Sequence, residues 1–206
     1  MPKVITCIVG PRAVGKTTLA EEMTSLYGFE RIITTTDRDR RPTDKDGDYH
    51  FVDKPAFKML RDEANAFIET NEYFGNNYGL SKASIEHAFD DSDFCTIVMD
   101  PNGAIALSEY SQSPEAFDRI DGSFDVCVVF LRAPESIILS RFLQRKGKLS
   151  SEDLSLLHRD CNLFLDMLQE SRMRGTISNL FILDATQTPT YLARQLLGFT
   201  NSHYQE

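Results

Sequence analysis

The sequence predicts a three-layer α/β fold in which helices cover both faces of a parallel β-sheet. Two observations support this prediction. Short, continuously apolar segments alternate with longer segments of helical periodicity, and continuous apolarity is typical of strands that are buried on both faces. The repeated order of strand then helix is typical of a parallel sheet with crossover helices.

The individual elements follow from these patterns. Apolar segments predict strands at residues 4–9, 31–34, 95–99, 126–131 and 180–183. Helical periodicity predicts helices at residues 16–27, 55–63, 81–89, 134–144, 152–174 and 189–197. Residues 37–47, which are dense in charge, and residues 71–80, which are rich in Asn, Gly and aromatic residues, interrupt the alternation. They predict a small insertion with a loop-rich surface, where function often resides.

Length and composition are those of a globular α/β protein. The chain has 206 residues, of which 41% are hydrophobic and 26% are charged. Its net charge of −9 disfavours a nucleic-acid partner, because such binding depends on neutralising phosphates with Lys and Arg. No apolar segment approaches the roughly 20 residues that span a bilayer, and the four cysteines form no CxxC pair. We therefore expect no membrane partner and a reducing, cytoplasmic compartment.

A phosphate-binding loop is predicted near the N-terminus. Residues 10–17 read Gly-Pro-Arg-Ala-Val-Gly-Lys-Thr, which matches GxxxxGK[ST], and they lie between a predicted strand and a predicted helix. In this arrangement backbone N–H groups and the helix N-terminus bind phosphate oxygens. Lys16 then reaches the β- and γ-phosphates, and the Thr17 hydroxyl can bind Mg²⁺. The predicted ATP contacts are Gly10, Pro11, Arg12, Ala13, Val14, Gly15, Lys16, Thr17 and Thr18.

This loop indicates the phosphoryl donor but not the acceptor, because kinases, GTPases and motor ATPases all carry it. The chain is short and has no clear NKxD-type sequence, which GTPases use to recognise guanine. These two features favour a small-molecule kinase. The alternative is a chance glycine-rich turn before a helix, which the apolar strand directly before the loop disfavours.

Five further segments resemble the guanylate kinase family in the order in which they occur. They are residues 34–41 (TTTDRDRR), 46–51 (DGDYHF), 67–69 (FIE), 75–82 (GNNYGLSK) and 99–103 (MDPNG). With the phosphate loop, the resemblance covers most of residues 4–160. It implies a P-loop kinase fold, ATP with Mg²⁺ as the donor, and GMP or dGMP as the acceptor.

The resemblance also implies an acceptor site, which consists of Thr34, Arg38, Arg41, Tyr49, Glu69, Tyr78 and Asp100. Two arginines with a tyrosine hydroxyl suit a dianionic phosphate, because guanidinium groups pair with oxygens bidentately. Glu69 and Asp100 match carboxylates that accept hydrogen bonds from guanine N1–H and the 2-amino group. Adenine does not offer this pattern of donors. From composition alone, the charged residues 37–41 would instead be a solvated loop.

A lid with arginines that surround the phosphates is implied for about residues 141–160. Arg141 and Arg145 are four residues apart on a helical pattern and so share a face, although an exposed basic face would show the same spacing. Positive groups stabilise the charge of the transferring phosphoryl group. The implied catalytic residues are Lys16, Arg38, Arg141, Arg145 and Arg159, and the implied Mg²⁺ ligands are Thr17 and Asp100.

We expect one guanylate-kinase-like domain over residues 1–206. Its core would comprise residues 1–34, 90–140 and 160–200, with an acceptor-binding insertion at about 35–80 and a lid at about 141–160. The sequence leaves open whether the protein is a monomer or a homodimer.

The chain departs from the family pattern at several positions. Arg12 and Ala13 replace Ser and Gly in the phosphate loop, Leu80 replaces a hydroxyl residue that contacts guanine O6, Val98 replaces an acidic residue, and Lys146 is an additional residue in the lid. Another nucleoside monophosphate or a ribose bisphosphate therefore stays open as the acceptor.

A non-catalytic binding module with this fold is a further alternative. The lysine and threonine of the phosphate loop argue against it, because a binding module has little need for them. We also expect 206 residues to leave no room for linked interaction domains.

Overall fold

In the computed structural model, which describes residues 3–41, 44–63, 66–73 and 75–204, strands and helices alternate along the chain. The strands are β1 Lys3–Val9, β2 Glu30–Arg31, β3 Thr35–Thr36, β4 His50–Phe51, β5 Phe67–Tyr73, β6 Asn76–Ser81, β7 Phe94–Val98, β8 Phe124–Arg132 and β9 Asn179–Asp184. The helices are α1 Lys16–Tyr27, α2 Lys54–Asp62, α3 Lys82–Asp91, α4 Pro101–Ser111, α5 Pro114–Ile120, α6 Glu135–Lys146, α7 Ser151–Met173 and α8 Pro189–Tyr204.

The main sheet is parallel and has the strand order β2-β7-β1-β8-β9. The central strand β1 is buried on both faces. Its residues Ile5, Cys7 and Val9 pack into one core with α3, α4, α5 and α7, whereas Val4 and Ile8 pack into a second core with α1, α6 and α8. These two cores give the predicted three layers, and the continuous apolarity of β1 follows from burial on both faces.

The chain leaves the main sheet where a single strand at residues 31–34 was predicted, and that prediction is wrong. Strand β2 ends at Arg31, and pairing resumes in β3 as part of a second sheet with the order β4-β3-β6-β5. The amide of Ile32 still donates to the Thr96 carbonyl of the main sheet (2.9 Å), whereas the Thr34 carbonyl already accepts from the His50 amide in the second sheet (2.9 Å). One apolar segment therefore serves two sheets.

The second sheet lies in the part of the chain where a loop-rich insertion was predicted, but residues 71–80 are mostly strand and not loop. Strands β5 and β6 form an antiparallel hairpin with a register shift between Phe67 and Glu69. Asp37 fastens β6 to the chain that follows β3, because its carboxylate accepts from both the backbone and the side-chain amide of Asn77 (2.6 Å each). The charged residues 37–41 and 44–47 have no regular structure, as predicted, and residues 42 and 43 lie outside the described part of the chain.

Helices α4 and α5 were not predicted. Each begins with a proline that follows a capping residue: Asp100 accepts from the Gly103 amide (3.0 Å), and Ser113 accepts from the Ala116 amide (3.1 Å). Both signals were present in the sequence, since Asp or Ser followed by Pro is typical of a helix start. Within the described ranges, no helix is long and apolar enough to cross a membrane.

Candidate active site

The phosphate loop is a tight turn between β1 and α1. A Cβ atom on Gly10 would lie 2.8 Å from the Leu131 carbonyl oxygen of β8, so only glycine fits against this backbone. Ala13 adopts a left-handed conformation with φ +61°, which costs an L-residue about 1–2 kcal/mol. The loop therefore keeps the backbone path of the motif, although alanine stands where glycine would be unstrained.

Lys16 lies folded over the loop. Its Nζ atom donates to the carbonyl oxygens of Gly10 (2.8 Å) and Pro11 (3.0 Å). Burial lowers its pKa to about 8, with Arg12 and Arg145 lowering it further and the carboxylates of Asp160 and Asp100 opposing that shift. The ammonium group is thus desolvated and held where a phosphate would bind.

A cavity of about 440 Å³ opens on one side of the loop, and we call it the donor cavity. Residues 12–19 form much of its wall, and Arg141 and Arg145 of α6 contribute, as their shared helix face predicts. The two arginines differ in their contacts. The guanidinium of Arg141 donates to the backbone carbonyls of Val14 (2.9 Å) and Ala185 (3.0 Å) and so links the loop to the backbone directly after β9, whereas Arg145 is exposed.

A second cavity of about 640 Å³ lies between the loop, the second sheet and α7, and we call it the acceptor cavity. It brings together six of the seven predicted acceptor residues, which are Thr34, Arg41, Tyr49, Glu69, Tyr78 and Asp100. Arg159 also lines it. Arg12 and Lys16 line both cavities, so the two cavities meet at the phosphate loop.

The predicted base-binding end contains a pair of carboxylates. Burial, with the nearby charge of Asp100, raises the pKa of Glu69 to about 7. Asp100 is held on two sides, because one oxygen caps α4 and the other accepts from the Asn71 amide (2.9 Å). At this end of the cavity Asp100 is therefore held in position by two hydrogen bonds, with the half-buried Glu69 beside it.

The predicted phosphate end contains Arg41 with the hydroxyls of Tyr49 and Tyr78, whose rings are 6.0 Å apart. Arg38, the seventh predicted residue, is turned away. Its Nη1 atom donates to Asp44 (2.8 Å), and its guanidinium carbon lies 5.4 Å from the centre of the Tyr49 ring. A carboxylate of the chain, that of Asp44, therefore pairs with the arginine that was predicted to hold the acceptor phosphate.

Sequence reasoning missed several residues of the acceptor cavity. Asn71 lies two residues after Glu69 on β5, so the period of two along a strand could have revealed it. Asp160, which bonds to the phosphate loop, and an apolar wall on α7 carried no motif. That wall consists of Leu163, Phe164 and Met167.

Two departures from the family pattern can be placed. Leu80 lies in the core between the second sheet and the main sheet and is fully buried, so it offers no polar group to a base. Val98, at the end of β7, lines the acceptor cavity but supplies no carboxylate. In this segment of the cavity wall the carboxylate comes from Asp100.

Comparison with known proteins finds relatives of one family. The sequence profile described as guanylate kinase matches residues 3–160. The guanylate kinase of Caulobacter vibrioides is 32% identical over 154 residues, which are 74% of this chain and 65% of that protein. The guanylate kinase of Chlamydia muridarum is 30% identical over 162 residues, or 77% of this chain and 71% of that protein.

A crystal structure of guanylate kinase from Anaplasma phagocytophilum covers all of this chain and 88% of its own chain with a TM-score of 0.58 and 20% identity, which supports the fold. The match to the Caulobacter protein spans slightly less than two thirds of that relative's length. From the profile match over well over half of its residues, the chain belongs to the guanylate kinase family.

Proposed function

We propose that the protein transfers the γ-phosphoryl group of ATP to GMP or dGMP. The observation that carries this proposal is the meeting of two cavities at Lys16 and Arg12, one built around a phosphate loop and the other ending in a pair of carboxylates. Such an arrangement suits in-line transfer, in which catalysis consists of positioning and of stabilising negative charge.

On the donor side, the loop backbone and the N-terminus of α1 bind the phosphates of ATP. Lys16 leaves the carbonyls of Gly10 and Pro11 for the β- and γ-phosphates, and Arg145 adds positive charge from α6. Arg141 holds the loop against the backbone directly after β9. No general base is required, because the acceptor is itself a phosphate anion.

On the acceptor side, Arg41, Tyr49 and Tyr78 bind the phosphate of the nucleotide. Its dianion competes with Asp44 for Arg38, since both are anions that suit the guanidinium. Thr34, Glu69 and Asp100 bind the base. The two carboxylates select guanine, which offers donors at N1 and at the 2-amino group, over adenine.

The chemistry of the chain fits Mg²⁺ that is bound mainly by the nucleotide. Thr17 lines the donor cavity, and among the residues that the structure describes there is no group of three His, Cys, Asp or Glu that could hold a metal. Mg²⁺ commonly takes one or two protein ligands and fills its remaining positions with phosphates and water. When bound, it would neutralise charge on the β- and γ-phosphates. Asp100 already accepts two hydrogen bonds, so Thr17 is the better ligand of the two proposed.

The remaining features are proposed by analogy with the family. Residues 141–160, which comprise the end of α6, a turn and the first part of α7, act as a lid that closes over both substrates and excludes water. The insertion at about 35–80 binds the acceptor, and the enzyme works in the cytoplasm as a monomer or homodimer. Identical scattering profiles with and without both nucleotides would refute lid closure.

An ADP-release assay with Mg·ATP tests the function. The acceptor panel is GMP, dGMP, AMP, CMP, UMP, dTMP and ribose bisphosphate, with Lys16→Ala as the control. Selective turnover of GMP or dGMP, lost in the control, is expected. Turnover with a different acceptor would keep the kinase and discard the guanine assignment, and no turnover at all would favour a non-catalytic binding module.

A further inference from the structure

We propose that Arg12 is a second cation of the phosphate loop that contacts the phosphoryl group in transit, and that Asp160 is the positioning residue that holds it between the two cavities. The inference rests on the proposed phosphoryl transfer and adds a pair of residues to it.

The pair joins two elements that are far apart in sequence. Nε of Arg12 lies 3.2 Å from Oδ2 of Asp160 on α7, and their side chains are only 13% and 5% exposed. On its other side, the Arg12 guanidinium carbon lies 5.9 Å from the centre of the Phe142 ring of α6. The guanidinium is therefore held by contacts from α6 and from α7, both within the proposed lid.

The position of the pair indicates a role in the reaction. Arg12 lines the donor and the acceptor cavity, a property it shares with Lys16, and Asp160 lines the acceptor cavity. A buried ion pair is weak evidence for stability, because desolvation of the two charges offsets their attraction. The phosphoryl group in transit passes the boundary between the donor and the acceptor cavity. A largely buried arginine at this boundary is placed to stabilise the negative charge of that group.

Phosphoryl transfer is accelerated by a positive group at this position. An oxygen of the acceptor phosphate forms a bond to the γ-phosphorus while the bond from that phosphorus to the β–γ bridging oxygen breaks and ADP leaves. Charge is spread over the three equatorial oxygens during this step, and a planar guanidinium can pair with two of them. Arg12 takes no covalent part. It stabilises the transition state as arginines supplied from other segments do in related reactions.

Asp160 contributes in two ways. It fixes the orientation of Arg12 through the Nε edge of the guanidinium, and its carboxylate opposes the mutual repulsion of Arg12 and Lys16 before phosphate is bound. Arg159, whose Nη2 atom lies 3.4 Å from Oδ1 of Asp160, adds a further cation beside the same carboxylate. Movement of α7 would therefore move the phosphate-loop arginine with it.

A double-mutant cycle tests the proposal. Single-turnover rates and ATP and GMP dissociation constants are measured for the wild type, Arg12→Met, Arg12→Lys, Asp160→Asn and the Arg12→Met/Asp160→Asn double variant. We expect Arg12→Met to lower the rate about 100-fold with dissociation constants changed less than about threefold. Arg12→Lys should recover only part of the rate, because an ammonium lacks the bidentate geometry.

The decisive expectation concerns Asp160. Asp160→Asn alone should lower the rate about tenfold but have a much smaller further effect in the Arg12→Met background, because it acts mainly through that arginine. Glu115→Gln is the matched control: Glu115 is the carboxylate partner of the buried Lys82 (2.7 Å) and belongs to neither cavity wall. It should lower stability and leave the rate unchanged.

Three results would overturn the inference. One is an Arg12→Met rate within twofold of an active wild type, and another is independent, multiplicative effects of the two substitutions. A wild type that turns over no acceptor would refute the proposed function and remove this role with it, so the two failures are distinguishable.

Discussion

The two cavities that meet at the phosphate loop are built in different ways. The donor cavity takes much of its wall from residues 12–19, a single continuous segment. It directly follows the turn at Gly10, whose backbone packs against the Leu131 carbonyl of the main sheet. The acceptor cavity takes its wall from side chains on β5, β6, α4, α7 and the loops around β3 and β4. A contiguous segment fixes the donor, whereas tertiary structure assembles the acceptor site.

We therefore expect residues of the donor cavity to govern the rate of phosphoryl transfer and residues of the acceptor cavity to govern which acceptor is used. Loss of a donor group should affect every acceptor alike, because the same phosphates pass through the loop in each case. Loss of an acceptor group should change the ranking of acceptors. Substitutions on the two sides therefore test whether the cavities are as independent as their construction indicates.

The largest effect is expected on the donor side. Lys16→Ala should lower turnover about 10³-fold with each acceptor that the wild type accepts and leave their ranking unchanged, because Lys16 is proposed to bind the phosphates of ATP. The measurement is kcat/KM across the acceptor panel. Lys58→Ala, which removes an exposed lysine of α2 that is absent from both cavity walls, is the control. A changed ranking in Lys16→Ala would show that the cavities are coupled.

A smaller effect is expected from Asp100→Ala, which removes a base acceptor and the cap of α4 together. We expect kcat/KM for GMP to fall about 100-fold, with much smaller changes for other acceptors, and the free energy of unfolding to fall by about 1 kcal/mol. Asp53→Ala is the matched control, because Asp53 caps α2 by accepting from the Ala56 amide (2.7 Å) and lies in neither cavity wall. Equal losses of activity in the two variants would assign Asp100 a purely structural role.

The same contrast explains what could be predicted from sequence. The phosphate loop and most strands of the main sheet could be predicted from local patterns, because a motif or a continuous apolar segment indicates the structure of the residues that form it. The hairpin of β5 and β6 does not, because its polar and aromatic residues lack regular alternation and are held by pairing with β3. The Arg12–Asp160 contact joins residues 148 positions apart, and no local pattern reports it. The proposed acceptor residues come from the family resemblance and not from periodicity.

A substitution at Leu80 tests whether base selectivity can be strengthened. Leu80 pairs with Glu69 across the hairpin, and Leu80→Thr would place a hydroxyl beside that carboxylate. We expect a three- to tenfold gain in kcat/KM for GMP relative to other acceptors, which corresponds to about 0.5–1.5 kcal/mol for one hydrogen bond.

The control for this gain is Leu80→Val, which has the shape of threonine without the hydroxyl. Both variants should lose stability, because Leu80 is 0% exposed and a smaller side chain leaves a cavity. A gain that appears equally in Leu80→Val would come from added space and not from the hydroxyl.

The smallest effect is the pH dependence of stability that Glu69 introduces. The pKa of this carboxyl is about 7 in the folded protein, whereas the ordinary value for a glutamate is 4.5. Below pH 4.5 it is protonated in both states. Between pH 4.5 and 7 the folded state binds a proton that the unfolded state has lost, so stability falls as pH rises through this window and is constant above it.

Glu69→Gln removes this dependence. The variant should become more stable than the wild type as pH rises from 4.5 to 7, by about 1 kcal/mol once the shift is reduced for the partial exposure of the side chain. Denaturant unfolding of both proteins between pH 5 and 8 measures the difference, and other titrating groups cancel in the comparison. A constant difference across this range would mean that Glu69 is ionised in the free protein. The carboxylate pair would then be ready for guanine without releasing a proton, and the acceptor cavity would be as preorganised as the donor loop.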